Sequence, residues 1–329
     1  MKPLWQGFQG PIAVPIERYL AQKRALGCRF STEERALRLL DRFLIERGIR
    51  AMEEIEPDLM KAFLASRPRA RPRSYNHLLC VVRRLFDWLV AQGDLACSPV
   101  QGRPRRETAR RLPFLFNAEQ ARLLLAAAMN LPDISNAPLR GHTYRTMFAL
   151  LYGLGLRVGE VSHLCGKDVD PCRRLLVIRD TKFSKSRLVP FGPRIGQLLE
   201  DYLERRGACY GPCSAEALLF SFDGSKAISP TAISGTFHRL FDQLKLAIPP
   251  GASRPRVHDL RHSFAVGTLL RWYREGIDPS TRLLHLSTFL GYADPASTAV
   301  YLTITPELLA QASWRFERFA QEKLHEVFG

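Results

Sequence analysis

The sequence predicts a mainly α-helical protein with one small antiparallel sheet, divided into an N-terminal helical bundle and a larger, mainly helical second domain. Apolar residues recur at helical spacing through the first hundred positions, and two short strand-like runs lie close together between residues 175 and 190. Helical spacing then continues to the C-terminus. The 329 residues suffice for about two domains, and 46% hydrophobic with 24% charged residues excludes a wholly disordered chain.

The N-terminal bundle begins with two predicted helices. The first runs from about Ile12 to Leu26 and stops at a glycine. The second has Ser31 followed by Glu34, which is the spacing of a capping box, and Gly48 ends it. Its apolar side is formed by Ala36, Leu37, Leu40, Phe43 and Leu44.

Two more helices complete the predicted bundle. A short helix follows Pro57, and a longer one starts near Ser74 and stops before Gly93. The apolar side of the longer helix consists of Leu78, Leu79, Val82, Leu85, Phe86 and Leu89. We place the domain boundary between about Gly102 and Leu112, which gives domains of residues 1–105 and 112–329.

Positive charge is concentrated in the first domain and its boundary. The chain carries 48 Lys plus Arg against 32 Asp plus Glu, and residues 1–111 hold 22 of the basic and 12 of the acidic residues. This excess favours a polyanionic partner, and nucleic acid is the commonest one. Two proline-interrupted segments, expected to be extended and to track a phosphate backbone, contain Arg67, Arg69, Arg71, Arg73, Arg103, Arg105 and Arg106.

The second domain is predicted to open with helices and then to form a hairpin. Asn117 can cap a helix that runs through Leu125, and another helix covers about Thr143 to Leu154. The runs 175–179 and 187–190 form two strands joined by residues 180–186. No apolar run approaches the 18 residues of a membrane span, and the N-terminus lacks a signal-peptide layout, so we expect no membrane association and a cytoplasmic location.

Four local patterns carry side chains suited to chemistry. Gly153 to Glu160 is a glycine-rich turn into a helix, and the hairpin turn contains Lys182. Further on stand His-Asp-Leu-Arg-His at 258–262 and Leu-Gly-Tyr at 290–292, with a last tyrosine nine residues later. Each pattern alone has an ordinary structural explanation, such as an exposed ion pair or a packed aromatic ring.

Taken together, the patterns match the needs of phosphodiester cleavage without a metal. Two guanidinium groups can hold the non-bridging oxygens, and a lysine can protonate the departing 5′ oxygen. A histidine can take the proton of a tyrosine, because a phenol with a pKa of about 10 is a poor nucleophile near neutral pH. The product is a 3′-phosphotyrosyl bond. No phosphate-binding loop or metal-ligand motif is present, and Cys209 and Cys213 form only a weak zinc pattern, so we expect no cofactor and no metal.

The motifs resemble those of the tyrosine recombinases, or phage integrase family, over roughly residues 12 to 325. The similar patterns are Gly-Leu-Arg-x-x-Glu, Lys-x-x-Lys-x-Arg-x-Val-Pro and His-x-Leu-Arg-His-x-Phe-Ala. The resemblance implies that residues 1–105 are a core-binding domain, that residues 112–329 are a catalytic domain, and that the two clamp double-stranded DNA. It also implies that the chain cuts and rejoins DNA strands at specific sites, as in integration, excision or transposition of a mobile element.

The resemblance also assigns roles to individual residues. It makes Arg157 and Arg261 the phosphate clamps, Lys182 the general acid, His258 the base or proton carrier, Glu160 a supporting carboxylate and Tyr301 the nucleophile. Lys185 is the alternative general acid, because Thr181 and Phe183 replace the glycines usual in the family. Tyr292 stands where the family commonly has His or Trp, and it is the alternative nucleophile.

The chain after Tyr301 is predicted to form a last helix. Thr305-Pro306-Glu307 opens it, and its apolar stripe contains Leu309, Ala312, Phe316 and Phe319. This stripe either packs on its own domain or, as the resemblance implies, docks on a neighbouring protomer to build a homo- or hetero-tetramer on DNA. Two other functions stay open: a catalytically silent DNA-binding partner of the same fold, and a DNA-relaxing enzyme of the type IB topoisomerase kind.

Overall fold

The structure, a computed structural model, confirms a mainly helical protein with one small antiparallel sheet. It describes residues 7–28, 30–67, 69–106, 112–179, 186–292, 296–299, 301, 313 and 317. The chain separates into two compact units, Met1–Arg110 and Arg111–Gly329. Apart from Ser313 and Glu317, which are helical, the predicted C-terminal helix lies outside the described residues.

Four helices surround the core of the first unit, as the sequence predicts. They are α1 (Ala13–Ala25), α2 (Ser31–Glu46), α3 (Pro57–Ser66) and α4 (Pro72–Ala91), with a short 3-10 turn at Met52–Glu54. The predicted apolar side of α4 is buried, and the rings of Phe43 and Phe63 pack 5.3 Å apart between α2 and α3. Burial of these apolar faces, at about 25 cal/mol per Å², is the main force that holds the bundle together.

Two helix starts differ from the prediction. Ser31 is the first residue of α2 and not its cap, since Phe30 precedes it in the left-handed region with φ +50°. The Glu34 carboxylate is bound by Arg24 and Arg38, so it does not close a capping box. α4 begins at Pro72, because proline fits the first helical position, and Arg73 is therefore helical and not extended.

The second unit contains eight of the described helices and the sheet. In chain order its elements are α5 (Ala118–Met129), α6 (Arg140–Gly153), α7 (Val158–Ser162), a 3-10 turn (Gly166–Asp168), β1 (Val169–Asp170), β2 (Leu175–Ile178), β3 (Arg187–Pro190), α8 (Pro193–Tyr210), α9 (Pro230–Leu244), α10 (Asp259–Arg274), α11 (Pro279–Leu290) and α12 (Ala296–Ala299). The strands pair in the order β1-β2-β3, all antiparallel, with Leu176 opposite Val189. The predicted hairpin is thus confirmed, although β1 is too short to give a sequence pattern.

The packing of the second unit fixes the position of α10, the helix that carries Arg261 and His262 of the candidate site. Asn117 caps α5 as predicted, accepting a hydrogen bond from the Gln120 backbone N–H at 2.8 Å. Next to this cap, the Phe116 backbone N–H donates to the Ser263 hydroxyl of α10 at 2.8 Å. The Phe116 ring packs against Phe114 and Phe237 at 4.7 and 6.0 Å. The start of α10 is therefore hydrogen-bonded to the segment that leads into α5, and the Phe116 ring packs that segment against α9.

No helix in the described ranges is both long enough and apolar enough to cross a bilayer. All seven cysteines are free thiols.

The contact between α5 and α6 generates a stability prediction. A Cβ on Gly141 would stand 2.3 Å from the Met129 carbonyl oxygen, which is backbone and cannot move aside. We expect Gly141→Ala to lower the free energy of unfolding by about 1–3 kcal/mol. Urea unfolding followed by circular dichroism measures this loss.

The matched control for that substitution is Gly207→Ala in α8. A Cβ there would meet nothing within 4 Å, so removing a helical glycine is expected to stabilise by roughly 0.5–1 kcal/mol. A Gly141→Ala protein as stable as wild type would show that the α5–α6 approach is not a tight constraint.

Candidate active site

A turn at Gly155 positions Arg157 in the site. After α6 ends, Gly155 adopts φ +60°, and a Cβ there would lie 2.6 Å from the Phe264 ring. The turn makes Arg157 the residue before α7, where its backbone N–H donates to Glu160 Oε2 at 2.8 Å and its Nη1 donates to Glu160 Oε1 at 2.7 Å. The predicted Arg157–Glu160 pair is therefore formed, and it is a partly buried one.

A second arginine, Arg187 of β3, binds the same carboxylate from the other side. Its Nη1 and Nη2 donate to Glu160 Oε1 and Oε2 at 2.8 and 2.9 Å, in a bidentate geometry. Burial alone would raise the pKa of Glu160, but the hydrogen bonds and charge of Arg187, together with Arg157, lower it to about 2. The carboxylate is consequently ionised throughout the neutral range.

Both arginines also bind the end of α11. Arg187 Nε donates to the Phe289 carbonyl at 2.9 Å, and Arg157 Nη2 donates to the Gly291 carbonyl at 2.8 Å. Gly291 has φ +70°, and a Cβ on it would lie 2.7 Å from Arg187 Nη1. The glycine before Tyr292 is thus required both by the backbone conformation and by the close guanidinium.

Two backbone carbonyls hold Arg261, and its guanidinium also interacts with the Tyr292 hydroxyl. Its side chain is fully buried, with Nη1 donating to the Gly155 carbonyl and Nη2 to the Leu290 carbonyl, each at 2.6 Å. Its Nε is buried and has no hydrogen-bond partner within the described part of the chain. Burial lowers the pKa of Arg261 from its ordinary value, yet arginine remains charged in proteins.

The two candidate tyrosines meet beside these guanidinium groups. The Tyr292 ring has the Cζ atoms of Arg261 and Arg157 at 4.8 and 5.4 Å from its centroid. Its hydroxyl lies 2.9 Å from the hydroxyl of Tyr301. Tyr301 is only 1% exposed, and its hydroxyl also lies 2.9 Å from His262 Nδ1.

The two phenols differ in acidity. Burial raises the pKa of Tyr292, but the charge of Arg261 and the hydrogen bond with Tyr301 outweigh burial and lower it. Burial, followed by the hydrogen bond with Tyr292, raises the pKa of Tyr301 above its usual value. Tyr301 therefore needs a proton acceptor before it can act as a nucleophile.

Two histidines lie one helical turn apart at the start of α10. The rings of His258 and His262 meet edge to face, with centroids 4.7 Å apart. Burial, with the charges of Arg256 and Arg261, lowers the pKa of His262 to about 4. His258 is exposed, and partial desolvation together with the charges of His262 and Arg261 lowers its pKa as well.

The structure brings most of the predicted site residues together. Arg157, Glu160, Arg261, Tyr292 and Tyr301 form one cluster, and the ring of His258 contacts it through His262. Lys182 and Lys185 lie outside the described residues. The roles assigned to all these residues stay predictions.

Two residues of the cluster, His262 and Arg187, were not predicted as site residues from the sequence. His262 directly follows Arg261 and stands one turn after His258, and this spacing was the available signal. Arg187 lies two residues before the buried Val189, so strand alternation places it on the inner side of β3. Neither residue stands out alone, because each gains its significance from a partner far away in sequence.

The first unit brings its two basic segments side by side. The Arg105 backbone pairs with the Asn76 side chain at 2.7 and 2.8 Å, and Arg105 Nη1 donates to the Arg69 carbonyl at 3.0 Å. The Arg105 guanidinium also lies 4.0 Å from the centroid of the Tyr75 ring. Arg103 and Arg106 are exposed beside it, as are Arg71 and Ala70 of the other segment.

Within the described ranges, no cluster of His, Cys, Asp and Glu is arranged to hold a metal.

Comparisons with known proteins show the family to which this chain belongs. The model of the phage integrase family matches residues 116–307. A putative integrase/recombinase y4rB of Sinorhizobium fredii (strain NBRC 101917 / NGR234) is 35% identical, over 92% of this chain and 96% of its own length. Tyrosine recombinase XerD of Ralstonia nicotianae (strain ATCC BAA-1114 / GMI1000) is 29% identical, over 84% of this chain and 83% of its own.

A solved structure is similar to this chain over most of its length. The integrase of transposon Tn1549, in complex with transposon right end DNA, superposes with a TM-score of 0.64 at 17% identity, covering 93% of this chain and 99% of that chain. The chain thus belongs to the phage integrase family, and it is a tyrosine-type site-specific recombinase.

The double pairing of Glu160 generates a prediction about stability and pH. Its pKa falls from 4.5 to about 2 on folding, so the pairing contributes about 3 kcal/mol above pH 4.5 and loses this contribution as the pH falls towards 2. We expect Glu160→Gln to be less stable than wild type by about that amount at pH 7, with the difference shrinking below pH 4.5. Unfolding free energies measured at pH 7, 5, 4 and 3 test this.

The control is an exposed acidic residue, Glu216, which pairs with Lys167 in solvent. Glu216→Gln should change stability by less than about 1 kcal/mol at every pH. A Glu160→Gln protein that behaves like this control would show that the buried carboxylate does not hold the cluster together.

Proposed function

We propose that this recombinase cleaves and rejoins double-stranded DNA through a 3′-phosphotyrosyl intermediate, with Tyr301 as the nucleophile. The observation that carries the proposal is the position of the Tyr301 hydroxyl. It is hydrogen-bonded to His262 and to Tyr292, and the Tyr292 ring rests on the guanidinium groups of Arg157 and Arg261. A nucleophile, a neutral imidazole and two fixed positive charges are thus contiguous.

The arginines supply electrostatic stabilisation of the reacting phosphate. Of the described carboxylates only Glu160 bonds to a guanidinium of the site, against the three cations Arg157, Arg187 and Arg261. The cluster therefore retains positive charge that a phosphate can satisfy. Because the donors are held by backbone carbonyls, they need little reorganisation as charge grows on the pentacoordinate phosphorus.

The proposed reaction balances without a metal or cofactor. The Tyr301 oxygen attacks phosphorus, its proton passes to a base, and the bond to the 5′ oxygen breaks as that oxygen takes a proton from Lys182, with Lys185 as the alternative donor. The 3′-phosphotyrosyl ester conserves the bond energy. The reverse attack by a 5′ hydroxyl rejoins the strand.

Tyr292 has a supporting role in this proposal. A phenol can donate one hydrogen bond to a phosphate oxygen or to the attacking oxygen, but it cannot shuttle a proton as an imidazole does. Its lowered pKa and its place beside both guanidiniums also make Tyr292 the alternative nucleophile.

The biological reaction we propose is integration, excision or transposition of a mobile element. This is supported by the names of its relatives, an integrase/recombinase and a transposon integrase bound to transposon end DNA. The basic segments of the first unit are proposed to contact the DNA backbone, and the C-terminal helix to link protomers into a homo- or hetero-tetramer on the DNA.

A covalent-trapping experiment tests the nucleophile. Wild-type protein is incubated with nicked duplexes that carry a randomised core, and DNA that remains attached in SDS is isolated and sequenced to define the site. We expect Tyr301→Phe to abolish the adduct and Tyr292→Phe to slow its formation by roughly 10- to 100-fold while leaving it attached to Tyr301. Peptide mapping of the adduct identifies the attached residue.

Three outcomes would contradict this proposal. An adduct that survives in Tyr301→Phe would identify Tyr292 or another nucleophile. DNA binding by wild type without any adduct would identify a catalytically silent partner. Relaxation of a plasmid bearing two copies of the selected site, with no recombinant product, would identify a topoisomerase activity.

A salt-dependence measurement tests the basic segments. We expect Arg103→Ala with Arg106→Ala to weaken binding to duplex DNA and to reduce the slope of log K against log salt by about 2, one for each lost phosphate contact. The charge-matched control is Arg18→Ala with Arg24→Ala, since Asp94 and Glu34 already engage those two guanidiniums. Equal slopes for the two double variants would reject a specific DNA contact at Arg103 and Arg106.

A further inference from the structure

The hydroxyl of Tyr301 is hydrogen-bonded to His262, a histidine to which the sequence analysis assigned no role. His262 Nδ1 lies 2.9 Å from the Tyr301 hydroxyl, and the two rings are 5.4 Å apart with planes at 57°. His258, the histidine expected to be the base, instead packs its ring against His262. Within the described part of the chain, the Tyr301 hydroxyl forms hydrogen bonds with His262 and Tyr292.

Hydrogen bonds of the two adjacent residues, Arg261 and Ser263, fix the position of His262. Arg261, directly before it, is anchored to the Gly155 and Leu290 carbonyls, and Ser263, directly after it, is bonded to the Phe116 backbone. The backbone at 262 is therefore held on both sides, and the imidazole is presented to the Tyr301 hydroxyl by a rigid helix.

We propose that His262 is the group that accepts the proton of Tyr301 as the phenolic oxygen attacks the scissile phosphorus. This inference rests on the proposed function, since it assumes that Tyr301 is the nucleophile. The Tyr301 O–H bond breaks, a new N–H bond forms at His262 Nδ1, and the Tyr301 oxygen bonds to phosphorus. When the 5′ hydroxyl of the partner strand reverses the reaction, the imidazolium returns the proton to the tyrosine.

The charge state of His262 suits this task. Its neighbours with charge are Arg256 and Arg261, and its other titratable neighbours are His258 and Tyr301. Burial and the two arginines lower the pKa of His262 to about 4, so the ring is neutral at assay pH. A neutral ring with its proton on Nε2 leaves Nδ1 free to accept from the phenol, and the Tyr292 hydroxyl can then donate to the Tyr301 oxygen.

The test compares His262→Gln with His258→Gln on the DNA site selected by covalent trapping. Single-turnover formation of the adduct is measured on a normal substrate and on one whose scissile bond carries a 5′-bridging sulfur. A sulfur leaving group needs no proton, so this substrate removes the requirement for a general acid and leaves only activation of the nucleophile.

We expect His262→Gln to slow adduct formation by about 100-fold or more on both substrates, with DNA affinity within about 2-fold of wild type. His258→Gln should slow the sulfur substrate by less than 10-fold. Added imidazole should restore at least 10-fold of the rate to His262→Ala, a gain that a merely structural role would not produce. Thermal unfolding checks each variant, and His262→Asn replaces His262→Gln if the latter does not fold.

Distinct results overturn the two proposals. A His262→Gln rate within 3-fold of wild type would overturn the role of His262 while Tyr301 keeps its own. A defect that disappears on the sulfur substrate would place His262 on the leaving-group side and would equally overturn it. An adduct formed by Tyr301→Phe, or no adduct with wild type, would overturn the proposed function itself.

Discussion

The buried carboxylate of Glu160 is the interaction on which the rest of the site depends. It binds Arg157 from the start of α7 and Arg187 from β3, and these arginines in turn bind carbonyls at the end of α11. Three elements far apart in sequence are thus joined through one side chain. A buried charge without partners is costly, so loss of this carboxylate would leave two guanidiniums uncompensated and would remove the direct link between α7 and β3.

The way in which the cations are held decides what the site can bind. Apart from the bond to Glu160, the guanidinium groups of Arg157 and Arg261 donate mostly to the peptide carbonyls of residues 155, 290 and 291. Carbonyl dipoles fix the orientation of a guanidinium but do not cancel its charge. The arrangement therefore keeps positive charge in a partly buried place, which suits the proposed stabilisation of a doubly charged phosphorane.

Much of the fold could be predicted because its signals are local. The apolar side of α4, the Asn117 cap and the 175–190 hairpin are each encoded within about twenty residues, and the structure forms all three. Arg157 and Glu160 were also found, since a single turn of helix separates them. Prediction failed where a distant partner decided the outcome: Arg24 reaches Glu34 and prevents the capping box, and His262 is distinguished only by Tyr301, 39 residues later.

The seclusion of Tyr301 has a chemical consequence. With 1% of its surface exposed and its hydroxyl engaged by His262 and Tyr292, the phenol is out of reach of solutes in the medium. Phosphate esters and small electrophiles in solution cannot contact the Tyr301 oxygen, so this hydroxyl does not react with them in the free chain. For the proposed function, this burial means that the side chains covering Tyr301 must move before a phosphate can reach the oxygen, and contact with a DNA duplex is the event that would supply the energy.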